Sequence, residues 1–236
     1  LVSIDSISRQ EGRISQEIRK MIEPLGPDIF IDDAGRATGS DTGNLIIKFA
    51  GTLDAPALMI NAHMDTVEPG IGVKPELVDG IFKSDGTTVL GADDKSAIAI
   101  IVEAMHVIAE SKIPCGPLEL VFTICEEIGL LGAKHLDYRL ISAEYGYALD
   151  TSDTESIITR APAANRFTVE VLGKSAHAGA EPEKGINAIS LASRAIAGLE
   201  LGRVDAETTS NIGMIECDGA TNIVPDRVRL KGEVRS

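Results

Sequence analysis

Ala57-Leu58-Met59-Ile60-Asn61-Ala62 is a short, nearly continuous apolar run, and it ends directly on His63-Met64-Asp65. A strand that is apolar without alternation is buried on both faces, as in the interior of a sheet covered by helices. In open sheets of that kind ligands gather beyond the carboxyl ends of the strands. The polar residues that close the run therefore carry the functional information.

Two more segments, further along the chain, repeat the pattern. Leu118–Ile124 reads as another buried strand and runs into Cys125-Glu126-Glu127, and Tyr145–Leu149 ends at Asp150. From Asp93 to about Glu110, residues Ile98, Ile101, Val102, Met105 and Val107–Ile108 recur at helical period, with Gly91 and Asp93 shaping the helix start. Upstream, Ile14, Ile18 and Met21–Ile22 predict a helix from about Ser8 to Ile22, stopped by Pro24-Leu25-Gly26-Pro27. Asn44–Phe49 reads as a strand and Leu130–Leu136 as a short helix. The order α, β, β, α, β, α, β predicts an α/β domain with a largely parallel or mixed sheet flanked by helices.

After Arg160 the pattern changes. Arg166–Leu172 alternates as a half-buried strand, Gly185–Leu199 is an amphipathic helix, and Thr208–Ile215 and Asp226–Val234 are two more strands. This β-α-β-β unit is the first part of a ferredoxin-like α+β layer, which needs another helix and strand. The second domain is accordingly expected to be incomplete and the chain a fragment, as the absence of an initiating Met also suggests. The expected division is residues 1–162 and 163–236.

With 44% apolar and 25% charged residues the composition is that of an ordinary globular protein. Against 22 Lys and Arg stand 36 Asp and Glu, a net charge of −14 with no basic cluster, which excludes nucleic acid as a partner. Cys115, Cys125 and Cys217 are odd in number and lack a C-x-x-C spacing, so neither a disulfide framework nor a thiolate zinc site is indicated, and a reducing cytoplasm fits best. No apolar run approaches the ~18 residues of a membrane span.

The strand ends supply the candidate chemistry. His63 and Asp65 are two apart, and in an extended segment they face the same way, so the carboxylate is placed to orient the imidazole. Gly91-Ala92-Asp93-Asp94-Lys95 puts two carboxylates where an ordinary helix cap needs one; a shared carboxylate such as Asp93 is what two closely spaced cations require. Glu126-Glu127 follows a strand that, Glu119 aside, is apolar or small, and the pair divides naturally into a metal ligand, Glu127, and a proton acceptor, Glu126. Asp150 repeats the theme. Each feature alone has an ordinary structural explanation; four strand ends closing on metal-competent groups do not. His106 and His135 lack such surroundings and are assigned structural roles. His177, in the small-residue loop Gly173–Ala180, is a candidate oxyanion donor.

Asn61–Val67, Gly91–Lys95, Glu126–Gly129, Ala148–Asp150 and Ser175–Gly179 together resemble the M20 metallopeptidases, in particular the tripeptidase-T-like branch, in order and over essentially the whole chain. The resemblance implies a zinc-exopeptidase-like catalytic domain with two divalent ions, zinc with manganese or cobalt able to substitute, and an inserted ferredoxin-like lid domain that mediates homodimerisation. It implies that His63 and Asp150 hold one ion, Glu127 the other, and that Asp93 bridges. Asp65 then supports His63, Glu126 is the general base, and the Asp93–Asp94 peptide is cis. His177 reaches a partner subunit's site, while Asn222 and Arg235 hold the substrate's backbone and terminal carboxylate. The family's last metal-binding His has no counterpart in these residues, so the second ion is expected to bind weakly and the chain as given to be inactive.

The activity so implied is hydrolysis of a terminal peptide bond in short peptides. The same machinery would also serve an N-acyl amino acid deacylase or a carboxypeptidase. A metal- or peptide-binding module without catalysis is the reading from another class, and the Glu126-Glu127 pair speaks against it.

Overall fold

The computed structural model describes residues 1–151 and 153–236, which divide into two compact units, Leu1–Thr154 and Glu155–Ser236. In the first unit the elements run α1 (Gly12–Ile22), β1 (Asp28–Ile31), α2 (Ala34–Thr38), β2 (Leu45–Phe49), β3 (Leu58–His63), β4 (Pro75–Val78), β5 (Ile81–Ser84), α3 (Ala92–Glu110), β6 (Leu118–Thr123), α4 (Leu131–Lys134) and β7 (Tyr145–Ala148). The second unit holds β8 (Ala164–Leu172), α5 (Ala188–Ala197), β9 (Gly202–Arg203), β10 (Thr209–Glu216) and β11 (Arg227–Arg235).

The main sheet has five strands in the order β1-β2-β6-β3-β7. β3 runs parallel to both β6 and β7, whereas β1, β2 and β6 pair antiparallel, so the sheet is mixed. Every residue of β6, the central strand, is buried, and Leu45, Ile46 and Ile47 of β2 are fully buried on both faces. In α1, Ile14, Ile18 and Ile22 fall four apart on one face and are fully buried. They share one core with Ile98, Ile101 and Met105 of α3 and with Leu120 and Phe122 of β6. Because β3, β6 and β7 are parallel, His63, Cys125-Glu126-Glu127 and Asp150 all emerge at the same edge of the sheet.

α1 begins at Gly12 rather than near Ser8: residues 5–11 instead run as a loop whose Ile7 bridges Thr66. β1, α2 and the β4–β5 hairpin are additional to the elements that periodicity predicts.

In the second unit the strand order is β8-β11-β10-β9, all antiparallel, with Ala188 and Ala192 of α5 packed on Val228 and Leu230 of β11. The order β8-β11-β10 is that of the first, third and second strands of a ferredoxin-like sheet. Among the described residues no helix is long and apolar enough to cross a membrane.

Candidate metal centre

His63 closes β3 and is 3% exposed. Its Nδ1–H donates to the Asp65 carbonyl oxygen at 2.8 Å, which can only accept, so Nε2 is the nitrogen left to meet a cation. Nε2 sits 3.0 Å from an Asp93 carboxylate oxygen. The contact that orients the ring is thus the Asp65 backbone; the Asp65 carboxylate lies further off, at 3.5 Å. That carboxylate is occupied elsewhere. It accepts the N–H groups of Glu126 at 2.8 Å and Glu127 at 3.2 Å and the Ser8 hydroxyl at 2.6 Å.

The structure brings two sets of potential ligand atoms together around His63. His63, Asp93 and Asp150 form one, and His63, Glu126 and Glu127 the other, with the atoms of each set within 4.8 Å of one another. Two ligands on opposite sides of a zinc ion with bonds of about 2.1 Å lie about 4 Å apart, so a small side-chain adjustment suffices. Asp93 is open to solvent, its side chain 71% exposed. It belongs to a cis Asp93–Asp94 peptide with non-helical backbone at both residues, and regular α3 begins after it. Asp94, to which sequence reasoning gave no role of its own, is buried and accepts the His63 backbone N–H at 3.2 Å.

The electrostatics of this cluster are those of too many carboxylates around one base. Burial pushes Glu126, Glu127 and Asp150 above their ordinary values, neighbouring carboxylates add to it, and only His63 opposes. Burial likewise pushes Asp94 up to about 7, against the pull of His63. Burial opposes charge on His63, yet the hydrogen bond to Asp65 and the charges of Asp65, Asp94 and Glu126 raise it to about 10. Asp65 is held low despite its burial by the donors from His63, Ser8 and Glu126. One imidazolium does not neutralise this many carboxylates; one imidazole with several carboxylates is the donor set that divalent zinc or manganese accepts.

Next to the cluster, burial and the adjacent Glu11 push the Cys125 thiol up to about 12, so it is no nucleophile. Ser8 and Glu11 are the residues here that sequence reasoning missed. They reach the site from 57 and 114 residues away, and nothing local in the chain marks them.

In the second unit, His177 is exposed and its Nδ1 accepts the N–H groups of Gly179 and Ala180, each at 3.1 Å. The imidazole proton therefore lies on Nε2, ready to donate. The neighbouring loop is pinned by the Ala178 N–H to the Asn222 carbonyl at 2.9 Å, which puts Asn222 beside it. Arg235 is not there. It pairs with Glu233 at 2.9 Å at the other end of the sheet, since Leu172 lies opposite Arg227 and Ala164 opposite Arg235.

Residues 44–159 match the model of peptidase family M28, and residues 163–236 match the M20 peptidase dimerisation domain. Over its whole length the chain is 47% identical to the uncharacterized protein YqjE of Bacillus subtilis, of which it covers 64%. It superimposes over its whole length on the aminopeptidase PepT of Bacillus cereus, with a TM-score of 0.93, 46% identity and 64% of that chain covered. A tripeptidase of Staphylococcus aureus gives the same TM-score of 0.93, at 41% identity and with 63% of that chain covered. The chain is similar to the M20 metallopeptidases. Its solved neighbours are of the tripeptidase-T-like kind. The chain spans a little under two thirds of the length of these relatives.

Proposed function

We propose that this chain carries the metal-binding part of a two-metal exopeptidase that cleaves a terminal peptide bond of short peptides, as an aminopeptidase or tripeptidase. The observation that carries the reading is the gathering of His63, Asp93, Asp150, Glu126 and Glu127 from four separate loops into two overlapping ligand sets. The solved neighbours described as an aminopeptidase and a tripeptidase support it.

His63 and Asp150 would hold one ion, Glu127 the other, and Asp93 both; zinc suits the donors, and manganese or cobalt would substitute. Such ions polarise the scissile carbonyl and acidify an attacking water. The chain's own residues supply the rest. Glu126 accepts the water's proton, and its upward-shifted carboxyl is suited to hold it for delivery to the leaving amine. Asp65 keeps His63 in one tautomer and the Glu126-Glu127 backbone in place. His177 donates Nε2–H to the oxyanion, and Asn222 and Arg235 hold the substrate backbone and terminal carboxylate.

The separation within the second unit bears on the assembly. Eight residue steps along β8, from Ala164 to Leu172, separate the Arg235 end of the sheet from the His177 end, roughly 26 Å at the usual rise, whereas an extended tripeptide spans only about 10 Å. His177 and Asn222 of one copy and Arg235 of another must then serve a given substrate, in line with a homodimer through residues 163–236.

In a preparation that turns over peptide, Glu126→Ala should abolish turnover and leave the metal content nearly intact. Activity retained after removal of both metals rejects the reading. Comparing a tripeptide, its N-acetylated form and an N-acyl amino acid separates an aminopeptidase, which needs the free amine, from a deacylase.

A further inference from the structure

Three successive backbone N–H groups, those of Cys125, Glu126 and Glu127, point at two buried carboxylates. Asp65 takes the latter two. Glu11 takes the first: its Oε1 accepts the Cys125 N–H at 3.0 Å and the Cys125 thiol at 3.4 Å. The same oxygen accepts the Arg9 N–H at 2.9 Å, and Oε2 accepts the Ser40 hydroxyl. Glu11 is fully buried, and although it stands at the N-cap of α1 its side chain makes no bond to that helix. Its hydrogen bonds go instead to the loops around the site.

Cys125 is where those bonds matter. Its φ is +52°, the left-handed region, which a side chain larger than glycine occupies only when its surroundings hold it there. This one residue turns the chain out of β6, so that the two carboxylates that follow face His63 rather than continuing along the strand. Without an acceptor its buried N–H would be stranded and the left-handed conformation unsupported.

We infer that Glu11 is a positioning residue for the Glu126-Glu127 pair, fixing the Cys125 turn from one side as Asp65 fixes the two glutamates from the other. The inference rests on the reading that this pair serves metal and water. Its test therefore includes a measurement that needs no turnover: the visible spectrum of the cobalt-loaded protein, which reports how the ligands are arranged.

Glu11→Gln keeps an acceptor oxygen at the same reach and should leave the cobalt spectrum unchanged and, in a preparation that turns over peptide, kcat within about threefold of the parent. Glu11→Asp keeps the carboxylate but withdraws it by one methylene. It should shift the spectrum and lower kcat about 10–100-fold while KM stays within about twofold. Adding Cys125→Gly, which adopts the left-handed conformation without help, should restore most of the loss. Should Glu11→Asp alone prove insoluble, the double variant is expected to recover soluble, cobalt-binding protein. Glu11→Asp behaving as the parent, Glu11→Gln failing as badly as Glu11→Asp, or no rescue by Cys125→Gly would each overturn the inference. A parent protein that takes up no cobalt would instead strike the metal reading on which it rests.

Discussion

Asp65 does two things with one residue. Its carbonyl fixes the His63 tautomer, and its carboxylate holds the backbone of the next loop through two N–H groups. Asp65→Asn presents an NH2 group to one of those donors and leaves a buried N–H without an acceptor. The expected loss is about 1–3 kcal/mol, or roughly 3–10 °C in Tm, read by calorimetry on the metal-free protein; an unchanged Tm would mean that the loop is held by other means. The pH dependence of the metal-free protein follows from the same cluster. Asp94 is raised from 3.8 to about 7 and His63 from 6.5 to about 10, so the folded state holds more protons than the unfolded state across these intervals. Stability must then fall as pH rises, over about pH 4–7 for Asp94 and about pH 6.5–10 for His63. Urea midpoints in chelator should decline from about pH 4 to 8 and level off above it, where buried Lys95, lowered from 10.5 to about 8, acts in the opposite direction; a midpoint that climbs from about pH 6.5 to 8 would contradict the His63 environment. The strand-end groups were legible in the sequence because each directly follows an apolar run. Ser8, Glu11 and the buried role of Asp94 were not, since hydrogen bonds across 57, 114 and 31 residues leave no periodic trace.

At the scale of elements, the turn that leads from β6 through Cys125 into α4 is closely packed. Gly132 passes so close to β6 that an added Cβ would lie 2.1 Å from the Ile124 carbonyl oxygen and 2.6 Å from the Asn44 amide oxygen. Asn44 bonds from there to the Gly132 carbonyl at 2.9 Å and to Asp32 at 2.8 Å. Gly132→Ala should therefore cost about 1–3 kcal/mol, seen as a lower urea midpoint, and should disturb metal affinity through the loop. β6 carries the unit's other exposed weakness in its buried Glu119. Despite burial, the Ser142 hydroxyl, then Lys48 at 2.9 Å and the N–H groups of Ala143 and Ser142, hold its carboxyl down at about 2. Its folded value lies below the ordinary 4.5, so this contribution is complete above that pH and is lost as pH falls toward about 2. Glu119→Gln should accordingly flatten the acid limb of the unfolding profile. β2, β3, β6 and α3 were readable within a residue or two because burial, on the sheet faces or on one helical face, writes itself into the residue pattern; β7, an exposed edge strand, was readable from its short run Tyr145–Leu149 before Asp150. β1 was not, as an edge strand with Phe30 and Ile31 largely exposed writes little. The β4–β5 hairpin did carry a signal: Asp79-Gly80, both at positive φ between Val78 and Ile81, is the two-residue turn that closes such hairpins.

For the whole molecule, all the candidate ligands among the described residues lie in the unit Leu1–Thr154, and none in Glu155–Ser236. The change of pattern after Arg160, where strand alternation replaces the buried, unalternating runs of the first sheet, was the ground for expecting a second domain from residue 163; the compact units of the structure divide between Thr154 and Glu155. Charge made a cation legible only in hindsight: a net −14 is mostly a solvated surface, and its local excess around His63 needs the fold to gather it. The consequence for the molecule is a stability that divides with the domains. At a free metal concentration of 100 times Kd, binding adds about 2.7 kcal/mol to the unit that binds and nothing to one that does not. Zinc added after chelation should therefore raise the transition of the first unit by roughly 5–10 °C. In hydrogen exchange it should slow the amides of residues 58–66, 91–96 and 123–132 while leaving the strands of residues 164–172 and 227–235 unchanged. Equal slowing of both sets would show that the stabilisation does not come from ligands in the first unit, and slowing of the second set alone would move the cation site there.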